Sequence, residues 1–422
     1  RMIESTTVTK PTTADLNNIS NYFVPNNITP KTMHSAPDLA LGNFSTYAKS
    51  AFNIPDIGFA LSFDMEYNSS STELPEEWTL FEPLGKGWSH NYMAYIGHSL
   101  GDEANSNADD RYVVNWGGVA MNSYKTSTLQ SETEGIYDQL AVNGTTATLT
   151  AQDKTVYTFQ RLDGGTNPFW ISSIRDRNNN TLTFNYSSTP ISKTIGGRTV
   201  QLRLLSEVVV PSGRKLTFSY QNNKLIRVTD PVNRQVNIGY NAATGQLETF
   251  TDAKSNVTTY GYGQGLESYL LKSVKLPEGN VINTEYDLNR KAKSIASNGE
   301  TTTINLQPQY NDPTTFLKST VTEKVDGKTT TYTTEYFKNN SLKNYAGPNG
   351  HNVGLAYNHA TDKTLPTTIT DSRDGTTTVG YNSKGNPTTS SWNGLTATIV
   401  YQDEVFPREI IDPNGNTTTI TY

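Results

Sequence analysis

Cysteine is absent from all 422 residues. That excludes disulfides, thiolate metal sites and cysteine nucleophiles, and it leaves the compartment open. Hydrophobic residues reach only 34% and charged residues 18%, both below ordinary globular usage. No apolar stretch approaches the ~20 residues that a membrane-spanning helix needs. No Lys/Arg-rich run occurs and the formal net charge is −6, so nucleic acid is not an expected partner. The N-terminus has no initiator Met, no basic leader and no apolar leader. Helical periodicity is also scarce; the best candidate is a single turn over residues 13–18, with Thr13 as N-cap.

Low hydrophobicity suggests disorder, but disordered chains are poor in aromatics and rich in net charge. This chain has 24 Tyr, 14 Phe and 5 Trp. Thr, Asn and Ser take the place of the missing apolar residues. Such a composition suits wide β-sheet with one polar face, because Thr and Tyr fit a pleated, half-buried surface. The chain is therefore expected to be folded and all-β.

The strongest pattern is a tyrosine ladder: Tyr186, Tyr220, Tyr240, Tyr262, Tyr286, Tyr310, Tyr336, Tyr357, Tyr381, Tyr401 and Tyr422. The first interval is 34 residues and every later one lies between 20 and 26. The preceding residues also rhyme: DPVNRQVNIGY ends at Tyr240, DSRDGTTTVGY at Tyr381 and DPNGNTTTITY at Tyr422. A fixed period in this range marks one small unit used many times. Each unit has a turn rich in Asp, Pro, Asn and Gly, then a strand ending in the ladder Tyr, then a second turn and a shorter return strand. Pro presets φ, Asn and Gly tolerate positive φ, and Asp accepts a local backbone hydrogen bond. Val236, Ile238 and Tyr240 fall on one face, as do Thr418, Ile420 and Tyr422. Lone hairpins are marginal in water, so the units are expected to pair edge to edge with the tyrosines in structural positions.

Three segments follow from this: a lead-in over residues 1–36, an N-terminal β-domain over 37–160, and a hairpin array of about eleven units over 161–422. In the β-domain, Phe59, Leu61, Phe63, Met65 and Tyr67 alternate as one strand of nine residues. Gly85 and Gly87 frame a turn before Trp88 and Tyr92, and residues 111–160 read as a β-meander. Arg1 and the ending at Tyr422, in mid-repeat, point to a piece of something longer.

On these residues the chain resembles the Rhs or YD-repeat proteins. Their Tyr-Asp pair followed by Gly and Leu appears here in relaxed form after Tyr220, Tyr240, Tyr286 and Tyr381; only Tyr286-Asp287 keeps the dipeptide. The segments GFALSFDMEYN at 58–68 and PLGKGWSHNY at 83–92 resemble the β-domain that precedes the repeats in bacterial wall-associated members. The resemblance covers roughly residues 37–422. It implies a long antiparallel sheet of β-hairpins spiralling toward a hollow shell, in proteins that are secreted or lie at the cell surface. In polymorphic toxins and insecticidal toxin complexes such shells enclose a C-terminal toxin; in animal teneurins a related barrel serves adhesion. Neither the core segment that ends the bacterial shells nor a variable toxin is found within these residues. The implied partner is thus the rest of its own chain: further repeats, a toxin or other cargo.

Chemistry-bearing patterns are thin. His90 and His98 are eight residues apart, as are His351 and His359, without the Glu of an HExxH helix; packed or turn histidines are the better reading. Asp64 and Glu66 share the face opposite Phe63 and Met65, the ordinary solvent face of a strand. Glu76, Glu77, Asp109 and Asp110 are scattered carboxylates. The oxygens at Asp109-Asp110 and over residues 176–180 suit a hard cation, though turn chemistry explains both. Ser89-His90 is not a triad, and Gly261 to Gly265 has the wrong spacing for a nucleotide loop. No catalytic, metal or cofactor set is expected. Trp78, Trp88, Trp116, Trp170 and Trp392 are flat rings on which a sugar can stack, with Trp170 and Trp392 as the candidate platform for a cell-wall or surface glycan. Scaffold, carbohydrate-binding or adhesive module, and polysaccharide-acting enzyme are the competing readings, in that order.

Overall fold

The computed structural model describes residues 35–38, 43–76, 78–99, 110–118, 120–132, 135–309 and 311–421. The expected turn at 13–18, most of the lead-in with His34, and Glu77, Asp109, Tyr310 and Tyr422 lie outside the described residues. The described regular structure is nearly all antiparallel strand, with short 3-10 turns at Ser69–Glu73, Gly265–Glu267 and Pro348–Gly350. Two compact units appear among the described residues: Asn43–Arg290, and one that includes Lys291–Tyr422.

In the Asn43–Arg290 unit the sheet starts at Gln139–Asn143 and adds strands in sequence order through Phe169–Arg175 and Thr181–Tyr186. It then passes over a separate hairpin, Ile191–Ile195 with Arg198–Leu202, and resumes at Leu205–Val209. From there it continues strand by strand to Val281–Tyr286. Pairing runs across residue 160, where Val156 faces Arg175. The meander is fuller than expected: Met121–Lys125 and Gln139–Asn143 are additional strands, and Tyr95–Ser99 branches onto Phe169 and Trp170.

The single strand expected from Phe59 to Tyr67 is broken. Ala60–Leu61 pairs with Ile54–Pro55, whereas Asp64–Asn68 pairs with Asn43–Lys49 and Trp88–His90. Side chains replace the ladder at the break: the Ser62 amide donates to the Tyr92 hydroxyl (3.2 Å) and the Phe63 amide to Ser50 Oγ (3.2 Å). Alternation survives the break, and Leu61, Phe63, Met65 and Tyr67 are all buried.

These side chains pack on the sheet. Phe63 meets Phe218 edge-on at 6.0 Å, Tyr92 meets Phe184 and Phe218, and Trp88 meets Tyr260 at 4.7 Å. Edge-to-face pairs are worth about 0.5–1.5 kcal/mol beyond burial. The Tyr67 hydroxyl donates to the Tyr269 carbonyl and accepts from the Leu271 amide. The segment from Asn43 to Tyr95 thus covers the inner side chains of the early repeats.

In the other unit the strands run in order from Ala292–Ser297 to Thr417–Thr419. Glu300–Pro308, Leu317–Val325 and Lys328–Tyr336 are the longest, each of nine residues. Their buried face mixes Ile304, Val321 and Tyr332 with Thr302, Ser319 and Thr334. Ser319 and Thr334 are fully buried cross-strand partners. Threonine here occupies places that aliphatic residues hold in the first unit.

Gly87 sits at φ +89°, where a Cβ would come 2.6 Å from Tyr67 Cε2; Gly213, at φ +85°, has open space around it. Gly213→Ala is expected to cost about 1–2 kcal/mol, the left-handed backbone penalty. Gly87→Ala should cost about 1–3 kcal/mol more through overpacking. Equal urea midpoints for the two variants would refute the placement of the Tyr67 ring.

Candidate functional site

Every described ladder tyrosine ends its strand or lies within one residue of the end. At seven of them the register shifts immediately before the tyrosine: Tyr186, Tyr220, Tyr240, Tyr262, Tyr336, Tyr381 and Tyr401. Gly239 faces Thr249 but Tyr240 faces Leu247, so Glu248 is an extra residue in the return strand. This is a β-bulge, which bends the strand and disrupts the local ladder.

The tyrosine hydroxyls complete these bulges. Tyr240 Oη donates to the carbonyl of Leu225 (2.7 Å), the residue facing Tyr220. Tyr262 donates to Leu247 (2.7 Å), which faces Tyr240, and Tyr286 donates to Leu271 (2.9 Å), which faces Tyr262. In the other unit Tyr357 donates to Leu342 (2.8 Å), Tyr381 to Pro366 (2.7 Å) and Tyr401 to Pro387 (2.7 Å). Leu342 and Pro387 are again the residues facing the preceding ladder tyrosines, Tyr336 and Tyr381. Tyr240, Tyr262, Tyr286, Tyr357 and Tyr401 therefore clasp their own repeats to the bulge of the one before, and Tyr381 makes the same kind of bond to a strand without a register shift. Burial raises the hydroxyl pKa of Tyr240, Tyr262, Tyr286 and Tyr381, and pushes that of Tyr357 up to about 12.

Tyr220 differs from these. Its hydroxyl is buried with no described partner. The inserted hairpin that makes the first interval long lies between Tyr186 and Leu205, and beside it is a cavity of about 20 Å³ lined by Phe81, Tyr95, Trp170, Tyr186, Leu205 and Tyr220. That is room for about one water.

The turns are built from acceptor oxygens. Asp176, Asp230, Asp252 and Asp412 each accept from the amides two and four residues on. The second oxygen takes Asn Nδ2, or Arg234 Nε in the case of Asp230. After the ladder tyrosines, Asn382 accepts from the amides two and four residues on, Asn241 from those two and three on, and Asp287 from the one two on. Only an acceptor is needed there, so Asn serves as well as Asp.

The remaining candidates lie apart. His90 is fully buried against Phe63 and Phe218, and its Nδ1 accepts from the Tyr92 amide; burial pushes its pKa down to about 3. His98 stacks on Tyr112, with Nε2 3.7 Å from Asp110. His351 lies 3.0 Å from Asp371, and His359 Nδ1 accepts from the Asp362 amide. Asp64 and Glu66 are half-covered, and burial raises both carboxyls. The Asp176 oxygens are committed to their own turn. Among the described residues no three His, Asp or Glu side chains converge as a metal set. No helix of the described residues is long and apolar enough to cross a membrane.

As a glycan platform Trp170 is corrected: it is 3% exposed and packed among Leu80, Tyr95, Val200 and Leu202, with no open ring face. Trp392 is half-buried, and its Nε1 donates to the Asp374 carbonyl. Sequence reasoning missed the bulges, although their signal is present. Return strands space their buried residues by three, as in Leu225 and Val228, Leu247 and Phe250, and Leu271 and Val274.

No family model and no curated protein matches this chain. Among solved structures it is similar to the TcdB2–TccC3–TEV crystal structure, at 11% identity and a TM-score of 0.38, over 98% of this chain and 24% of that one. The TcdB2–TccC3 crystal structure without its hypervariable C-terminal region gives 10% identity and a TM-score of 0.37, over 87% and 21%. The Tc holotoxin pore of Photorhabdus luminescens gives 11% identity and a TM-score of 0.28, over 90% and 25%. The chain spans about a quarter of the length of these structures. Scores of this size do not establish a common fold.

Tyr262 also accepts from Trp88 Nε1 (2.7 Å). Tyr262→Phe is expected to cost about 1–3 kcal/mol by stranding buried partners, while Tyr220→Phe should be near neutral in urea denaturation. Equal losses would refute the clasp. The unfolded His pKa, about 6.5, lies above the folded value of His90, so below it the unfolded state binds the extra proton. Stability should fall by about 1.4 kcal/mol per unit as pH drops from 6.5 toward 3. His90→Gln should flatten that slope in melts between pH 7 and 4; an unchanged slope would exclude His90 as its source.

Proposed function

We propose that this chain is a non-catalytic wall segment of a secreted or cell-surface Rhs/YD-repeat protein, in which the sheet forms part of a shell around a C-terminal toxin or other cargo. The observation that carries this reading is the clasp. A hairpin by itself is marginal, but Tyr240, Tyr262, Tyr286, Tyr357 and Tyr401 each tie one repeat to the bulge of the previous one. Stability then accumulates through nearest-neighbour contacts, as in other repeat proteins. Such a wall lengthens by adding identical joints and needs no new core for each unit.

The bulges support the same reading, because a bulge that recurs at seven of the ladder tyrosines adds a bend and twist in the same sense each time. A sheet that must curve around contents requires such a device, and a flat one does not. The relaxed Tyr-Asp pair is compatible with it, since Asn241 and Asn382 perform the acceptor role of Asp287. The side chains along the wall are occupied with turns, clasps and core, which is the distribution expected of a scaffold.

The test is made on the full natural protein that contains this chain. Electron cryomicroscopy should show a curved sheet around an internal space, and limited proteolysis should spare the segment following the repeats until the sheet unfolds. A solid array with no internal space, or immediate cleavage of that segment, would refute the shell. Hydrolysis of a polysaccharide by the 422-residue chain would refute the non-catalytic assignment.

A further inference from the structure

Away from the ladder, the unit Asn43–Arg290 gathers two arginines and a histidine from three distant parts of the sequence. Arg161 faces Phe169 across the sheet, and its guanidinium carbon lies 3.9 Å over the Phe169 ring. Phe169 in turn faces Ile96 and meets the Tyr112 ring at 6.1 Å. His98 stacks on the other partner of that row, Tyr112, at 5.1 Å. Arg198 comes from the inserted hairpin and donates through Nη2 to the His98 carbonyl at 3.0 Å. Asp110 Oδ2 is the nearby carboxylate, 3.7 Å from His98 Nε2, too far for a hydrogen bond.

The cluster is rich in unmet donors. Arg161 Nε and Nη2, Arg198 Nη1 and both ring nitrogens of His98 are occluded from solvent with no hydrogen-bond partner among the described residues. Native structures rarely leave buried polar groups unpaired, and guanidinium never sheds its charge. Among the described residues, two fixed positive charges face one carboxylate. The neighbouring Arg111 does not alter this balance, since Glu132 engages it at 2.5 Å. Burial lowers the His98 pKa; Asp110 opposes this, while Arg161 and Arg198 add to it. The imidazole is thereby favoured in the neutral form, with one N–H to offer.

We propose that Arg161, Arg198 and His98 form a binding site for a small oxyanion of the phosphate or sulfate class. The forked guanidiniums match such oxygens in geometry and charge. The site has no footprint as a basic run, because the fold alone brings its members together.

Inorganic phosphate is the probe. The 422-residue chain is melted in phosphate and in chloride at matched pH and ionic strength. Phosphate should raise the midpoint saturably by a few degrees. Arg161→Gln and Arg198→Gln should each raise the half-saturating concentration about tenfold or more, since each removes a charged fork. Line broadening of the phosphate ³¹P resonance by the native chain gives a readout independent of unfolding, and Arg161→Lys serves if the Gln variant fails to fold. Saturable stabilisation with line broadening that the variants weaken supports the site. No phosphate-specific shift, no broadening, or an undiminished response in the variants would overturn it, as would occupation of the arginines by a carboxylate of the chain itself in a crystal grown with phosphate.

Discussion

The hydrogen bond from a ladder tyrosine to the bulge of the preceding repeat is the contact on which the array depends. A bulge brings curvature at the expense of regular pairing. By placing a phenol at the end of the next outgoing strand, the chain satisfies the bulge and joins two repeats at once. The bond recurs with small variation from Tyr240 to Tyr401. It explains why the residue is tyrosine: phenylalanine would fill the same space but could not donate.

The two units solve the problem of sheet burial differently. In Asn43–Arg290, the aromatic residues Phe63, Trp88 and Tyr92 cover the early repeats, and Pro83 supplies its carbonyl to Leu225 and Tyr240. In the other unit, Thr302, Ser319 and Thr334 enter the buried face directly. A hydroxyl side chain fits the pleat as well as valine does, but burying it weakens the hydrophobic contribution. The low apolar content of the chain thus has a definite location.

Much of this was legible in particular residues. The DPVNR and DPNGN turns announced their geometry because an Asp oxygen, a Pro φ and a positive-φ Asn or Gly act within five residues. The strand Lys224–Thr229 appears as expected after Tyr220. The strand over residues 59–67 was legible only as a face: its alternation persists while its pairing breaks at Ser62 and Phe63, where distant Tyr92 and Ser50 take the amides. Trp170 illustrates the opposite difficulty. A tryptophan in a strand looks the same in sequence whether its ring faces solvent or a hairpin inserted later in the chain, and here it is buried with Val200 and Leu202.

The sequence by itself determined the all-β class, the repeat period, the turn positions and the tyrosine at the end of each outgoing strand. These follow from local backbone preferences and period-two alternation, which neighbouring residues set among themselves. Only the tertiary structure decided which carbonyl each phenol reaches, what lies over the early repeats, and that His98, Arg161 and Arg198 share one place. Those outcomes depend on bulges that shift register and on strands paired across long stretches of chain. No local pattern encodes such distances; they arise when the sheet closes its hydrogen bonds.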